Sequence, residues 1–262
     1  MTKIAITGAA GRMGRRIAAL ALADEKFQVV SAMEMPRHEA MGADVGTLCG
    51  AGACGLSVSE TLQGAPDVII DFSVPEGTLQ WLDAARERET AIVIGTTGLT
   101  ESQLAEVADA AAGIPIVQAP NFSVGVNLLF RLAGEIARTL GPDYDVEIVE
   151  AHHRFKKDAP SGTALGLARS IAEATGRTMP DCLVHGRSGR SPRTSGEIGM
   201  HALRIGDNVG EHTVQFGNLG ETVSIAHAAH TRDTFARGAL RAAEWAAGRK
   251  PGLYSMQDVL FG

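Results

Sequence analysis

"KIAITGAAGRMGRRIAALALA", Lys3–Ala23, is the stretch on which the fold turns. A short apolar run gives way to a glycine-rich turn. Helical spacing follows, with Ile17, Leu20 and Ala21 on one side. This predicts strand, loop and helix. Gly8, Gly11 and Gly14 occupy the turn. Glycine there lets a pyrophosphate reach bare backbone N–H groups at a helix N-terminus, and it tolerates the backbone angles a tight turn needs. The spacing is G-x-x-G-x-x-G instead of the commoner G-x-G-x-x-G, so context has to support it. "FQVVSAME", Phe27–Glu34, supplies that context. It reads as a second strand ending on a carboxylate about twenty residues past the last glycine, where an acid can bind the adenosine ribose hydroxyls. The plainer alternative is a strand-to-helix turn with an unrelated surface Glu34.

The alternation continues through "PDVIIDFS", "PEGTLQWLDAARERE", "TAIVIGTTG", "ESQLAEVADAAAG" and "IPIVQAPNFS". Strands separated by helices of this length imply parallel β-α-β units. Three predicted strands end in small or polar residues: Asp71-Phe72-Ser73, Gly95-Thr96-Thr97-Gly98 and Ala119-Pro120-Asn121-Phe122. Ligands of open α/β sheets bind at such carboxyl ends. A long apolar helix, "SVGVNLLFRLAGEIARTLG", precedes a change of character: "GEIGMHALRIG", "GEHTVQFGNLG" and "ETVSIAHAAHT" are alternating strands of an antiparallel or mixed sheet. A final helix, "RDTFARGALRAAEWAAG", and a tail containing "YSMQDVL" return to the first domain. The expected fold class is therefore α/β. A Rossmann-like parallel-sheet dinucleotide domain, 1–123 completed by 233–262, carries an inserted α+β domain, 124–232. "HGRSGRSPRTSG" reads as a mobile basic loop, and the open edge of the second sheet as an assembly surface.

The formal charge of −6 argues against wholesale nucleic-acid binding, so any anion must be met by local positive charge. Cys49, Cys54 and Cys182 follow no metal-ligand or disulfide spacing, which fits a reducing compartment. There is no signal-like segment before "KIAIT" and no run of about twenty apolar residues, so a cytoplasmic protein without membrane contact is expected.

The chemistry concentrates in "EAHHRFKKDAPSGTA", Glu150–Ala164. Pro160 and Ser161 read as a helix start, which would leave the N–H groups of Gly162 and Thr163 at a positive helix end suited to a carboxylate. His153 and Lys156 could supply the opposite side of a clamp for an anionic substrate. Arg154 and Lys157 read as solvated. A zinc site is the rival reading, because His152, His153, His201, His212, His227 and His230 all fall in this half. Adjacent strand histidines point to opposite faces, and no H-E-x-x-H motif or cysteine pair is present, so no metal is expected.

"GAAGRMG", "DFSVPEGT", "VIGTTG", "APNFSVGVN", "EAHHRFKKDAPSGTA" and "VGEHTVQF" together resemble the dihydrodipicolinate reductase family end to end. The resemblance implies NADH- or NADPH-dependent reduction of a cyclic imine dicarboxylate, 4-hydroxy-tetrahydrodipicolinate, in lysine and diaminopimelate synthesis, by a homo-oligomer, a tetramer. It implies His152 as proton donor or acceptor, Lys156 as proton donor, and His153, Gly162 and Thr163 as substrate ligands. It places the nicotinamide cofactor on Gly8, Ala9, Ala10, Gly11, Arg12, Met13, Glu34, Gly95, Thr96, Thr97, Ala119, Pro120, Asn121 and Phe122. Neighbouring cations would favour proton release from Lys156. Two positions depart from the pattern. Met35 stands where an arginine often follows the ribose-binding acid, which affects the choice between NADH and NADPH, and Phe155 stands where another histidine can occur. The competing functions are another two-domain NAD(P)-dependent reductase and a non-catalytic NAD(P)H sensor. The sensor would have no need of His152, Lys156 and a carboxylate-ready helix start together.

Overall fold

The computed structural model describes residues 1–262, which form two compact units, Met1–Val124 with Arg232–Gly262, and Gly125–Thr231. In chain order the elements are β1 (Thr2–Thr7), α1 (Arg12–Leu22), β2 (Phe27–Met33), α2 (Val45–Cys49), β3 (Val68–Asp71), α3 (Pro75–Glu87), β4 (Ala91–Ile94), α4 (Glu101–Ala110) and β5 (Pro115–Gln118). Then come α5 (Val124–Leu140), β6 (Asp145–His152), α6 (Gly162–Thr175), β7 (Leu183–His185), β8 (Ile198–Arg204), β9 (Gly210–Asn218) and β10 (Glu221–Ala229). The chain closes with α7 (Asp233–Ala246), β11 (Gly252–Tyr254) and α8 (Met256–Phe261).

The first unit is built on a parallel sheet of order β11-β5-β4-β3-β1-β2. Its central strands are apolar on both faces, as parallel strands covered by helices on both sides must be. Alternation sends Ile4, Ile6, Val68, Ile70 and Val93 into one core with α1 and α7. Ala5, Ile69, Ile92 and Ile94 face the other way, onto Trp81 and Leu82 of α3 and Val107 of α4. The strand order reverses at β1, so the loops after β1 and β3 border the crevice where ligands of such sheets bind.

The second unit has a mixed sheet of order β10-β9-β6-β8-β7. β6, β8 and β7 run parallel, and β9 is antiparallel to both β6 and β10. Val146, Ile148, Ile198, Met200, Val214 and Phe216 bury one face against α5 and α6. The loop read as mobile is instead tied down by ion pairs. Arg187 meets Glu147 and Glu197, and Arg193 meets Glu147 and Asp145, with the Asp145 contact at 2.7 Å. Arg193 also donates to the Glu197 carbonyl at 2.7 Å. Its acidic partners Asp145 and Glu147 lie more than forty residues away in sequence on β6, so local composition could not reveal them.

Candidate functional site

Each unit contributes its own set of groups. In the first, Gly8 follows β1 in the left-handed region at φ 60°, and a Cβ there would lie 2.6 Å from the Phe72 carbonyl oxygen. Only glycine fits this turn. A Cβ at Gly14 would lie 2.1 Å from the Gly8 oxygen, so the first turn of α1 can pack on the loop only without a side chain. Gly11 caps α1 with no side chain in the way. The result is a bare helix start of the kind that takes a pyrophosphate, with Arg12 exposed and Met13 half-buried beside it.

Glu34 follows β2 directly, and its carboxylate is already oriented. Oε2 accepts from the Ala10 N–H at 3.0 Å and Oε1 from the Met35 N–H at 3.0 Å. Ala9 is pinned by its own N–H to the Met33 carbonyl at 3.1 Å. A cavity of about 290 Å³ opens here, bordered by Gly8, Gly11, Glu34, Met35, Phe72 and Trp81. No lysine or arginine lines it.

Asp71, at the end of β3, was not singled out from sequence as a site residue. It is fully buried and has no cationic partner. Its oxygens accept from the hydroxyls of Thr7, Ser73 and Thr78 at 2.5 Å each and from Thr96 at 2.8 Å. One carboxylate thereby ties the ends of β1, β3 and β4 and the start of α3 together. Gly95 sits against the Phe72 ring, 2.3 Å from where its Cβ would be. Thr97 is exposed beyond it. Ala119 is held by an N–H bond to Ile94 O at 3.2 Å, Pro120 is exposed, and Asn121 accepts from the Ser123 N–H at 2.8 Å. Phe122 is buried, with its ring 5.5 Å from that of Phe72. The predicted cofactor residues thus fall on successive strand ends of one sheet.

In the second unit, β6 alternation puts Glu150 and His152 on the same, helix-covered face. His152 Nδ1 lies 2.5 Å from Glu150 Oε2. Glu150 is 1% exposed and also accepts from both terminal nitrogens of Arg204 at 2.9 Å. Burial would push its carboxyl up, but the hydrogen bonds from Arg204 and His152 and the charge of Arg204 hold it below the usual range. His152 itself is held below its ordinary value, chiefly by burial, against the opposing pull of Glu150. His212 lies edge-on to His152, with ring centroids 5.1 Å apart, and burial lowers it to about 3. Both rings are neutral at neutral pH.

Ser161 is the N-cap of α6: its Oγ accepts from the Ala164 N–H at 3.2 Å and meets His212 Nε2 at 3.0 Å. Gly162 opens the helix on open space, and Thr163 follows half-buried. Upstream, the loop is fastened by His153 N–H to Asn208 O at 2.7 Å and Lys156 N–H to His153 O at 3.1 Å. The His153 side chain is half-buried. Lys156 is only partly exposed and pairs with Asp158 at 3.0 Å, so its nearest charged partner is a carboxylate and not a cation. Arg154 and Lys157 are exposed. No group of three or more His, Cys, Asp or Glu side chains is arranged to hold a metal ion. Sequence reasoning missed Glu150, Arg204 and His212 as parts of this cluster. The detectable signal was the i, i+2 spacing of Glu150 and His152 on one strand.

Two family models cover the chain: dihydrodipicolinate reductase, N-terminus, over residues 2–122, and dihydrodipicolinate reductase, C-terminus, over residues 125–260. The chain belongs to the dihydrodipicolinate reductase family. It is 52% identical over 260 residues to the 4-hydroxy-tetrahydrodipicolinate reductase of Rubrobacter xylanophilus, covering 99% of this chain and 98% of that protein. It is 51% identical over 263 residues to the enzyme of the same name from Alkalilimnicola ehrlichii, with the same coverage. The solved dihydrodipicolinate reductase of Paenisporosarcina sp. TG-14, bound to dipicolinate, shares the fold at TM-score 0.78 and 24% identity over the whole of both chains.

Proposed function

We propose that the protein reduces 4-hydroxy-tetrahydrodipicolinate to tetrahydrodipicolinate with NADH or NADPH, in lysine and diaminopimelate synthesis. The observation that carries this is the run from Glu150 to Thr163 in a chain of this family: a neutral histidine, a lysine and a capped helix start follow one another on one strand, loop and helix. The bare turn at Gly8, Gly11 and Gly14 and the oriented Glu34 carboxylate fit a dinucleotide. When bound, the reduced nicotinamide supplies the hydride. The chain's own residues do the rest. Gly162 and Thr163 at the start of α6, with His153, hold a substrate carboxylate. Lys156 gives a proton to the ring carbon beside the one that receives hydride, and its neutral amine regains a proton from water. His152, neutral, accepts a hydrogen bond or proton through Nε2. The 4-hydroxyl leaves as water together with a proton from the neighbouring ring carbon, and the resulting conjugated ring gains one hydride and one proton, so that in sum one NAD(P)H and one proton are consumed and one water is released.

NADH should be bound at least as well as NADPH, because Glu34 repels a 2′-phosphate and exposed Met35 brings no compensating charge. The second unit is proposed to bind substrate and to assemble the protein as a homotetramer through its open sheet. Free Cys49, Cys54 and Cys182 and the biosynthetic role support a cytoplasmic setting. No helix is long and apolar enough to cross a membrane. The test is NAD(P)H oxidation, followed by absorbance, when the unstable imine is generated in place. Absence of oxidation would refute the assignment.

A further inference from the structure

Glu150 accepts four hydrogen bonds on two oxygens. Oε2 takes His152 Nδ1 at 2.5 Å and one Arg204 nitrogen at 2.9 Å. Oε1 takes the second Arg204 nitrogen at 2.9 Å and the Ser161 backbone N–H at 3.1 Å. Arg204 is held in turn by the Asp158 carbonyl at 2.6 Å, on the same loop as Lys156. We infer that Glu150 is a positioning residue with two simultaneous tasks: it fixes the tautomer of His152, and it fixes the helix start at Ser161 that presents Gly162 and Thr163 to a substrate carboxylate. The inference rests on the proposed function for the identity of that substrate.

The first task follows from the acceptor-only chemistry of a carboxylate. A neutral imidazole has one N–H, and a carboxylate at Nδ1 requires the proton there. The lone pair is therefore on Nε2. Space is kept beside it by Gly210, where a Cβ would lie 3.0 Å from Nε2. The second task follows from geometry. Ser161 N–H precedes the helix it caps, so its anchor on Glu150 sets where the next two N–H groups aim. Because one carboxylate does both, the proton-handling ring and the anion-binding helix start are held in register with each other. A displacement of about 1 Å at such a site costs up to about a hundredfold.

The charged and titratable groups acting on His152 are Glu150, Lys156 and Arg204, with neutral His212 edge-on. Glu150 raises the His152 value and the two cations lower it. Glu150→Gln should therefore move the acid limb of kcat/KM to lower pH, which a purely scaffolding role would not do.

Two measurements test the inference. Nitrogen-15 NMR of the His-labelled wild-type protein should show His152 as the Nδ1–H tautomer. Pyridine-2,6-dicarboxylate, titrated onto the NADH complex, should bind Glu150→Gln about tenfold or more weakly, while NADH affinity stays within about twofold. An Nε2–H tautomer in the wild type, unchanged dicarboxylate affinity, or an equal loss of NADH binding would overturn it. If the variant does not fold, the wild-type tautomer decides. Neither readout needs turnover, so a failed reductase assay would leave the positioning role standing on its own evidence.

Discussion

Replacing Asp71 by alanine removes the acceptor shared by four hydroxyls, and the structure says what each of them does next. Ser73 and Thr78 have a second acceptor in the Val74 carbonyl, at 3.3 Å in both cases. The Ser73 N–H keeps Thr96 Oγ1 at 3.0 Å. The hydroxyls of Thr7, fully buried, and Thr96, 8% exposed, have no such alternative. Two stranded buried hydroxyls cost about 2–6 kcal/mol at about 1–3 kcal/mol each. Relief of a buried carboxylate without a cationic partner offsets part of that. The expected loss is therefore about 2–4 kcal/mol. Urea unfolding of the Asp71→Ala protein should show a lowered midpoint with an unchanged slope. NADH affinity should fall with it, because the loops after β1, β3 and β4 lose their common tie. A loss below about 1 kcal/mol, within the range of an ordinary surface change, would refute the role of Asp71 as a hub.

Lys156→Ala should lower turnover by about 10²–10⁴-fold with NADH affinity nearly unchanged, whereas exposed Lys157→Ala should cost little; equal damage in steady-state kinetics would defeat the assignment. Fluorescence titration should find NADH bound at least as tightly as NADPH, and a clear preference for NADPH would contradict the reading of Glu34 and Met35. Gly238→Ala should destabilise the first unit strongly, since its Cβ would fall 1.7 Å from the Phe122 oxygen; thermal unfolding reads this directly. The histidines fix the sign of the pH dependence. Burial lowers His212 from 6.5 to about 3 and also lowers His152 and His227, so their contribution is complete above about pH 6.5 and is lost as pH falls below it. The melting temperature should decline between pH 6.5 and 4, and His212→Gln should flatten that decline.

The parallel sheet was legible because its cues are local. Apolar strands, helices of repeating period and small residues at strand ends each lie within a few positions of one another. The same holds for the glycine turn and for Glu34, whose carboxylate the structure sets against the Ala10 N–H. What escaped the sequence depends on distant partners. Arg204 stands 54 residues from Glu150, and Thr7 stands 64 from Asp71, so neither pairing leaves a trace in local composition. β11 is three residues long and exists through pairing with β5, which no periodicity can display over so short a span. Nothing in the alanine-rich sequence around Gly238 marks it as the point where α7 meets the Phe122 backbone.

Hydride transfer from NADH to a cyclic imine dicarboxylate can be followed with an isotope. NADH carrying deuterium at the reactive nicotinamide carbon is supplied while the imine is generated enzymatically in place, and the product is analysed by mass spectrometry. One NADH should be consumed per imine reduced, and deuterium should be retained on a ring carbon of tetrahydrodipicolinate, with the adjacent proton drawn from solvent. NADH left unconsumed, or a reduced product without the label, would contradict this hydride transfer.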